Sequence, residues 1–388
     1  MVPPPPLPPA LERIPRSGIR VIMDRAWELG EPIHHLEVGE PRFATPQHIV
    51  TEFCRAAVSG STRYTPNSGI APLREACARK LASINNIHVE PDQILITVGA
   101  MQGLMSAVTG VVEPGDEILT PSPGWPNYQM LIISAGARAV SYELRKDFGY
   151  QPDPDQLESL ITDRTKMIIV NTPSNPLGAM LSEEVIDQIL AIAAQHGLWV
   201  LSDECYDQIA FDDGMISPAS RPLGPEQTIT VHSFSKTYAM TGFRLGYLSA
   251  PRRATALLTK LQESTVSCVN TPTQYAGIAA LEGPQECLDE MVREYQARRD
   301  LAVDGARSLG LEPRVPAGAF YLWVELPEVT DSLAFAEELL TTHRVAVAPG
   351  STFGEPGAAA VRISLAAERE TILAGLDAIG AVIAARLR

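Results

Sequence analysis

Residues 228–251 read "TITVHSFSKTYAMTGFRLGYLSAP". The β-branched, apolar start and the closing "RLGYLSAP" have the composition of strands. Between them stand Lys236, Ser233, Ser235 and Arg244, where a sheet protein would rather keep apolar side chains. Polar groups concentrated between two strands point to a site rather than to a core.

Working outward, short apolar runs alternate with helical patterns from about residue 90. "ILITVG" precedes "AMQGLMSAVTGVV", and "KMIIVNTP" precedes "SEEVIDQILAIAAQHG", with Ser182 as N-cap and acids in the first turn. "LWVLSDE", "TITVHSF" and "RLGYLSA" follow. Strands that are apolar throughout and separated by helices predict an α/β fold, a mostly parallel sheet covered on both faces. Near residue 290 the rhythm changes to a long charged helix, "AFYLWVEL", "SLAFAEELLTTH", "VRISLA" and a last amphipathic helix, which predicts a smaller α+β domain. The expected division is a proline-rich arm over 1–15, a segment over 16–45 packing with the small domain, a large domain over 46–290 and the small domain over 291–388. Helices are expected at "SGIRVIMDRAWELG" and "TPQHIVTEFCRAAVSG", stopped by Gly30 and Gly60.

The 388 residues carry 31 basic against 46 acidic side chains, a formal charge of −15, which disfavours nucleic acid and anionic membranes as partners. Five scattered cysteines without CxxC or a Cys/His cluster suggest neither zinc nor disulfides, and predict reduced thiols in a cytoplasmic protein. No run of about 18 apolar residues is present, and the N-terminus lacks the form of a signal peptide.

In a wound sheet, ligands bind beyond the carboxyl ends of the strands. The residues there are "TVGAMQ", "NTPSNPLG", "LSDECY" and "SFSK", which place Asn175, Asp203, Tyr206 and Lys236 on one rim. A partly desolvated lysine is a nucleophile toward an aldehyde, and a carboxylate would keep a pyridine nitrogen protonated as an electron sink. An amide and a phenol suit a ring oxygen. A helix start, two serines and Arg244 suit a phosphate.

The ordered motifs "LEVGEPRFATP", "RYTPNSGIAPLREA", "VGAMQG", "PGWPNY", "NTPSNPLGA", "SDECYDQI", "SFSKTYAMTGFRLGY", "PAGAFYLWVEL" and "VRISLA" resemble those of class I/II aminotransferases, fold-type-I pyridoxal 5′-phosphate (PLP) enzymes, over nearly the whole chain. The resemblance implies that Lys236 is the Schiff-base lysine and proton shuttle, that Asp203 pairs with the pyridine nitrogen, and that Asn175 and Tyr206 bond the 3-oxygen. It implies that Trp125 stacks on the ring and that Ala100, Met101, Ser233, Ser235 and Arg244 hold the phosphate. "GAMQG" lacks the hydroxyl or lysine of many relatives, which leaves backbone N–H groups there. Tyr64 is implied to reach the phosphate of a partner subunit in a homodimer with shared sites. Arg362 is implied to clamp the substrate α-carboxylate bidentately, with the backbone of Gly39 against it.

The activity so implied moves an amino group from an L-amino acid to a 2-oxo acid in ping-pong fashion. Elimination, cyclisation, decarboxylation or oxidation on the same fold is the alternative. A regulator that kept the scaffold would need a DNA-binding segment. A nicotinamide dehydrogenase would need a GxGxxG turn, which is absent. Tyr128, His34, His35, His196 and His232 read as structural, and nothing activates Cys205.

Overall fold

The apolar runs become strands, as the alternation predicts, in the computed structural model, which describes residues 12–212 and 214–386. Most of the arm expected over 1–15 lies outside the described residues. In chain order the strands are β1 (His34–His35), β2 (Ile94–Thr97), β3 (Glu117–Ser122), β4 (Arg138–Glu143), β5 (Thr165–Asn171), β6 (Trp199–Asp203), β7 (Thr228–Ser233), β8 (Gly246–Ser249), β9 (Tyr321–Glu325), β10 (Val345–Ala346), β11 (Ala348–Pro349) and β12 (Ala360–Ser364). Seven of them form one sheet in the order β2-β8-β7-β6-β5-β3-β4.

Only β8 runs against the others. The reason lies in the stretch that opened this reading. Between Ser233 and Gly246 the chain has a single helical turn, Phe234–Thr237, and a 3₁₀ turn, Thr241–Phe243. A parallel return needs a crossover, usually a full helix, so the chain comes back beside itself antiparallel.

Both faces of the sheet are buried, because successive residues point opposite ways. Ile169, Leu201 and Val231 pack on one side with Leu104. Ile168, Val170 and Val200 pack on the other with Ile189 and Leu190. Full burial of such side chains contributes about 1.5–3 kcal/mol each. The helix Glu183–His196 covers the second face. Its expected cap is present, with Ser182 Oγ accepting the Val185 N–H at 3.3 Å and Gly197 left-handed at φ 66°.

A third core joins Ile22, Ala26 and Leu36 to Phe335, Leu339, Ile363 and Ile379. It brings the helix Gly18–Leu29 against the C-terminal elements, and β1 pairs in parallel with β10. The strands β11-β12-β9 form a small antiparallel sheet. Among the described residues no helix is long and apolar enough to cross a membrane. The topology has one functional consequence. Asn171, Asp203 and Ser233 are the last residues of β5, β6 and β7; Asn171 pairs beside Asp203, and Ser233 stands two residues past Val231, the partner of Asp203, at the same edge.

Candidate active site

Beyond those strand ends lies a cavity of about 500 Å³ between the sheet, the N-terminal helix and the small sheet. Lys236 enters it from the single helical turn after β7. Its Nζ donates to the Gly39 carbonyl at 2.7 Å. Among the described residues no carboxylate pairs with it, and removal from water pulls the ammonium down to about 8. Gly39 is required here, because a methyl group on it would fall on the Tyr321 hydroxyl.

Asp203 is buried at 3% exposure and has no cationic partner among the described residues. Burial raises its pKa above the ordinary carboxylate value, against hydrogen bonds that lower it. Its Oδ2 accepts from Tyr128 Oη at 2.6 Å, and its Oδ1 from the Cys205 N–H at 3.2 Å. A buried carboxyl held by two neutral donors is complementary to a cation brought by a ligand. Trp125 lies on the cavity wall, edge-on to Tyr128 with centroids 5.6 Å apart.

The helix Gly99–Val111 points its N-terminus into the same space; its N-cap residue Val98 supplies no side-chain cap, and Gln102 Oε1 accepts the Val98 N–H at 3.0 Å. Ala100 and Met101 of its first turn line the cavity, as do Ser233 and Ser235. Ser233 Oγ accepts the Ser235 N–H at 3.1 Å, which holds the two hydroxyls together. Gly99 sits at φ 68°, and a Cβ there would lie 2.5 Å from Arg244 Nη2. Arg244 is itself left-handed, at φ 54° and ψ 54°, a strain of about 1–2 kcal/mol that aims its guanidinium at the helix start. Free N–H groups, a helix dipole, hydroxyls and one cation make an anion cradle.

At the opposite wall Arg362 is 2% exposed. Nη1 donates to Asn175 Oδ1 at 2.9 Å, and Nη2 donates to the Glu37 carbonyl. The guanidinium carbon lies 4.3 Å from the Tyr321 ring centroid and 5.0 Å from that of Phe353. Its Nε–H has no partner, and no carboxylate neutralises it among the described residues. Tyr206 reaches the wall and shares a 2.7 Å hydrogen bond with Tyr321 Oη. The residues expected at the site are therefore gathered in one cavity, with Tyr64 the exception. Its side chain is 88% exposed and lies outside the lining.

The model of the family "Aminotransferase class I and II" matches residues 31–379. The chain belongs to the class I and II aminotransferases. It is an enzyme of amino-group transfer, in a family that works through pyridoxal phosphate. An aspartate aminotransferase from Pyrococcus horikoshii is 37% identical over 370 residues, 94% of each chain. An aromatic-amino-acid aminotransferase from Thermococcus litoralis is also 37% identical, over 96% of this chain and 97% of its own. The solved aspartate aminotransferase of Thermus thermophilus with maleate superposes with a TM-score of 0.92 at 33% identity, covering 97% of this chain and all of that one.

Several residues of this aminotransferase site escaped the sequence reading. Tyr128, expected to be structural, lines the cavity and bonds Asp203 directly, which corrects that expectation. Its place in "PGWPNY", three residues after Trp125, was the available signal. Asn171 closes β5 and ties two predicted residues together. Its Oδ1 accepts the Asn175 N–H at 2.7 Å, and its Nδ2 donates to the Asp203 carbonyl at 2.9 Å. The strand-end rule, applied to the last residue of the run, would have found it. Tyr321 and Glu37 stand inside "PAGAFYLWVEL" and "LEVGEPRFATP", where only the motif marks them. Cys205 lines the cavity as an inert thiol, its pKa driven up by burial.

Proposed function

We propose that this aminotransferase holds PLP through Lys236, with Asp203 against the ring nitrogen and the cradle of Ala100, Met101, Ser233, Ser235 and Arg244 around the phosphate. One observation carries the reading. A single cavity holds an amine lowered to about 8, a buried carboxyl without a cation and a buried guanidinium without an anion. A protonated heterocycle and a substrate carboxylate would satisfy the last two.

When bound, the protonated ring draws electrons from the amino acid's α-carbon. Lys236 Nζ, with a far larger neutral fraction near neutral pH than an ordinary lysine, is the base within the cavity for the α-proton. Asn175, fixed through Asn171 and Arg362, and Tyr206, fixed through Tyr321, orient the ring. Trp125 bounds the ring's space and keeps water from it. Arg362 fixes the α-carboxylate in a plane, its guanidinium already packed between two aromatic rings.

The exposed Tyr64 supports a site completed by a second copy of the chain, with this tyrosine directed to the partner's phosphate cradle. The test mixes PLP-loaded enzyme with an amino acid and no oxo acid. One equivalent of pyridoxamine phosphate per site, from a species sedimenting as two chains, is the expected result. Catalytic ammonia release without an acceptor, or a single-chain mass, would contradict the corresponding half of the proposal.

Arg362→Lys is expected to lower kcat/KM about a hundredfold or more, mostly through KM, because a buried bidentate donor becomes a point charge. PLP content should stay at one per chain, which separates lost substrate binding from a damaged site. Steady-state kinetics beside a cofactor titration checks both.

A further inference from the structure

Resting on the amino-transfer reading, we infer that a buried network behind the catalytic edge, Glu204–His232–Asp207–Lys80, positions the site, with His232 as its central positioning residue. Glu204, His232 and Asp207 are buried, and only 9% of the Lys80 side chain is exposed. The network is therefore enclosed within one chain, and a second copy has nothing to add to it.

Its place follows from the strand ends, where adjacent residues point opposite ways. Asp203 lines the active cavity, and Glu204 beside it meets His232 instead. Ser233 lines the cavity while His232 faces the back. The turns repeat the division, with Tyr206 in front of Asp207 and Lys236 in front of Thr237. Each of these site residues thus has a covalent neighbour behind the edge.

Lys80, on the helix Ala71–Ile84, donates to Asp207 Oδ2 and, at 2.8 Å, to Asn85 Oδ1. Asn85 Nδ2 donates to Asp207 Oδ2 at 3.0 Å. The hydroxyls of Ser202 and Ser217 donate to Glu204 Oε1 at 2.8 and 2.6 Å. His232 stands between the two carboxyls, Nδ1 3.5 Å from Asp207 Oδ2 and Nε2 3.8 Å from Glu204 Oε2. Its ring stacks on Tyr247 with centroids 4.9 Å apart.

Burial lifts Glu204 to about 8, so this carboxyl is mostly protonated at neutral pH. Burial and Lys80 push the His232 imidazole down, so it is neutral. Against burial, Lys80 and His232 hold Asp207 below the ordinary value, so it is ionised. One anion and one cation remain, a balanced set that can stay buried. With its proton on Nδ1, facing Asp207, His232 offers the Nε2 lone pair to the Glu204 O–H. One tautomer suits both carboxyls, and an apolar side chain would join neither.

A cavity of about 10 Å³, room for a single water, is lined by His232, Thr237 and Tyr247 among others. His232 Nδ1, Thr237 Oγ1 and Tyr247 Oη have no hydrogen-bond partner among the described residues. A water bridging them would extend the network to the turn that bears Lys236.

The experiment compares His232→Leu and His232→Gln with wild type, each loaded with PLP, using the fastest donor from a panel of the common L-amino acids. His232→Leu should lower kcat about tenfold or more, since an ångström of misplacement at reacting groups costs up to about a hundredfold. KM should hold, because the contacts of Arg362 across the cavity involve no member of the network. PLP should leave the leucine variant about tenfold faster, the scale of one lost hydrogen bond. Without cofactor that variant should melt no lower than wild type, because neither ring nitrogen gives up a full hydrogen bond. His232→Gln, whose amide both donates and accepts, should recover most of kcat. Wild-type kcat and PLP release in His232→Leu would overturn the inference. So would a kcat loss that follows a large fall in melting temperature, or one that His232→Gln shares in full. Pyridoxamine phosphate from no donor, even with wild type, would remove the amino-transfer reading itself and this inference with it.

Discussion

Lys236→Ala is expected to reduce turnover about 10⁴-fold or more, since one substitution removes both the attachment point and the base for the α-proton. The fold should tolerate it. Lys236 makes a single hydrogen bond, to the Gly39 carbonyl, and stands on a cavity wall rather than in a core. Borohydride reduction of the wild-type holoenzyme should leave a pyridoxyl group on a peptide containing residues 233–244, and the variant should carry none. The amine adds a pH signature. With its pKa lowered to about 8, the unloaded protein should take up PLP covalently at a rate that rises about tenfold per pH unit below 8 and levels off above it. The sign follows because only neutral Nζ attacks. A plateau reached only near the ordinary lysine value would show that the site does not desolvate the amine. Retained activity in Lys236→Ala would remove the assignment altogether.

Asp203→Asn is expected to cut turnover about 10³-fold, the scale of removing one preorganised electrostatic partner from a water-poor site. The amide keeps the shape, and its oxygen still accepts from Tyr128 Oη, so geometry is held while the charge is removed. Stability should move the other way. Burial raises the folded pKa of Asp203 above its unfolded value, so the folded state binds more protons than the unfolded state between the two. Stability is therefore lost as pH rises through that window, and at neutral pH the ionised carboxyl weakens the unloaded protein. The asparagine variant without cofactor should melt no lower than wild type, and above it if the penalty is large. Its PLP should dissociate faster, because the ring nitrogen loses its anion. A melting temperature well below wild type in the unloaded variant would assign Asp203 a structural role instead.

These residues were legible for a local reason. A strand with both faces buried must be apolar along its length, so a polar residue at its carboxyl end stands out against the run. Asp203 after "LWVLS", Lys236 after "TITVHSF" and Asn175 in "NTPSNPLG" were each visible that way. The family motifs then assigned their roles. Arg362 was visible as a charge within the apolar "VRISLA".

What the chain determined by itself is the set of chemical groups and the elements that bear them, because composition and periodicity are local properties of a polymer. The tertiary structure alone decided which groups meet. Tyr128 finds Asp203 across 75 residues, Arg362 finds Asn175 across 187, and Lys236 finds the Gly39 carbonyl across 197. Those contacts depend on sheet order, on the reversal of β8 and on the docking of the N-terminal helix against the C-terminal core. Burial, which sets the amine at about 8 and raises the Asp203 carboxyl, is likewise a property of the packed whole, since desolvation is the sum of neighbours brought from distant parts of the chain.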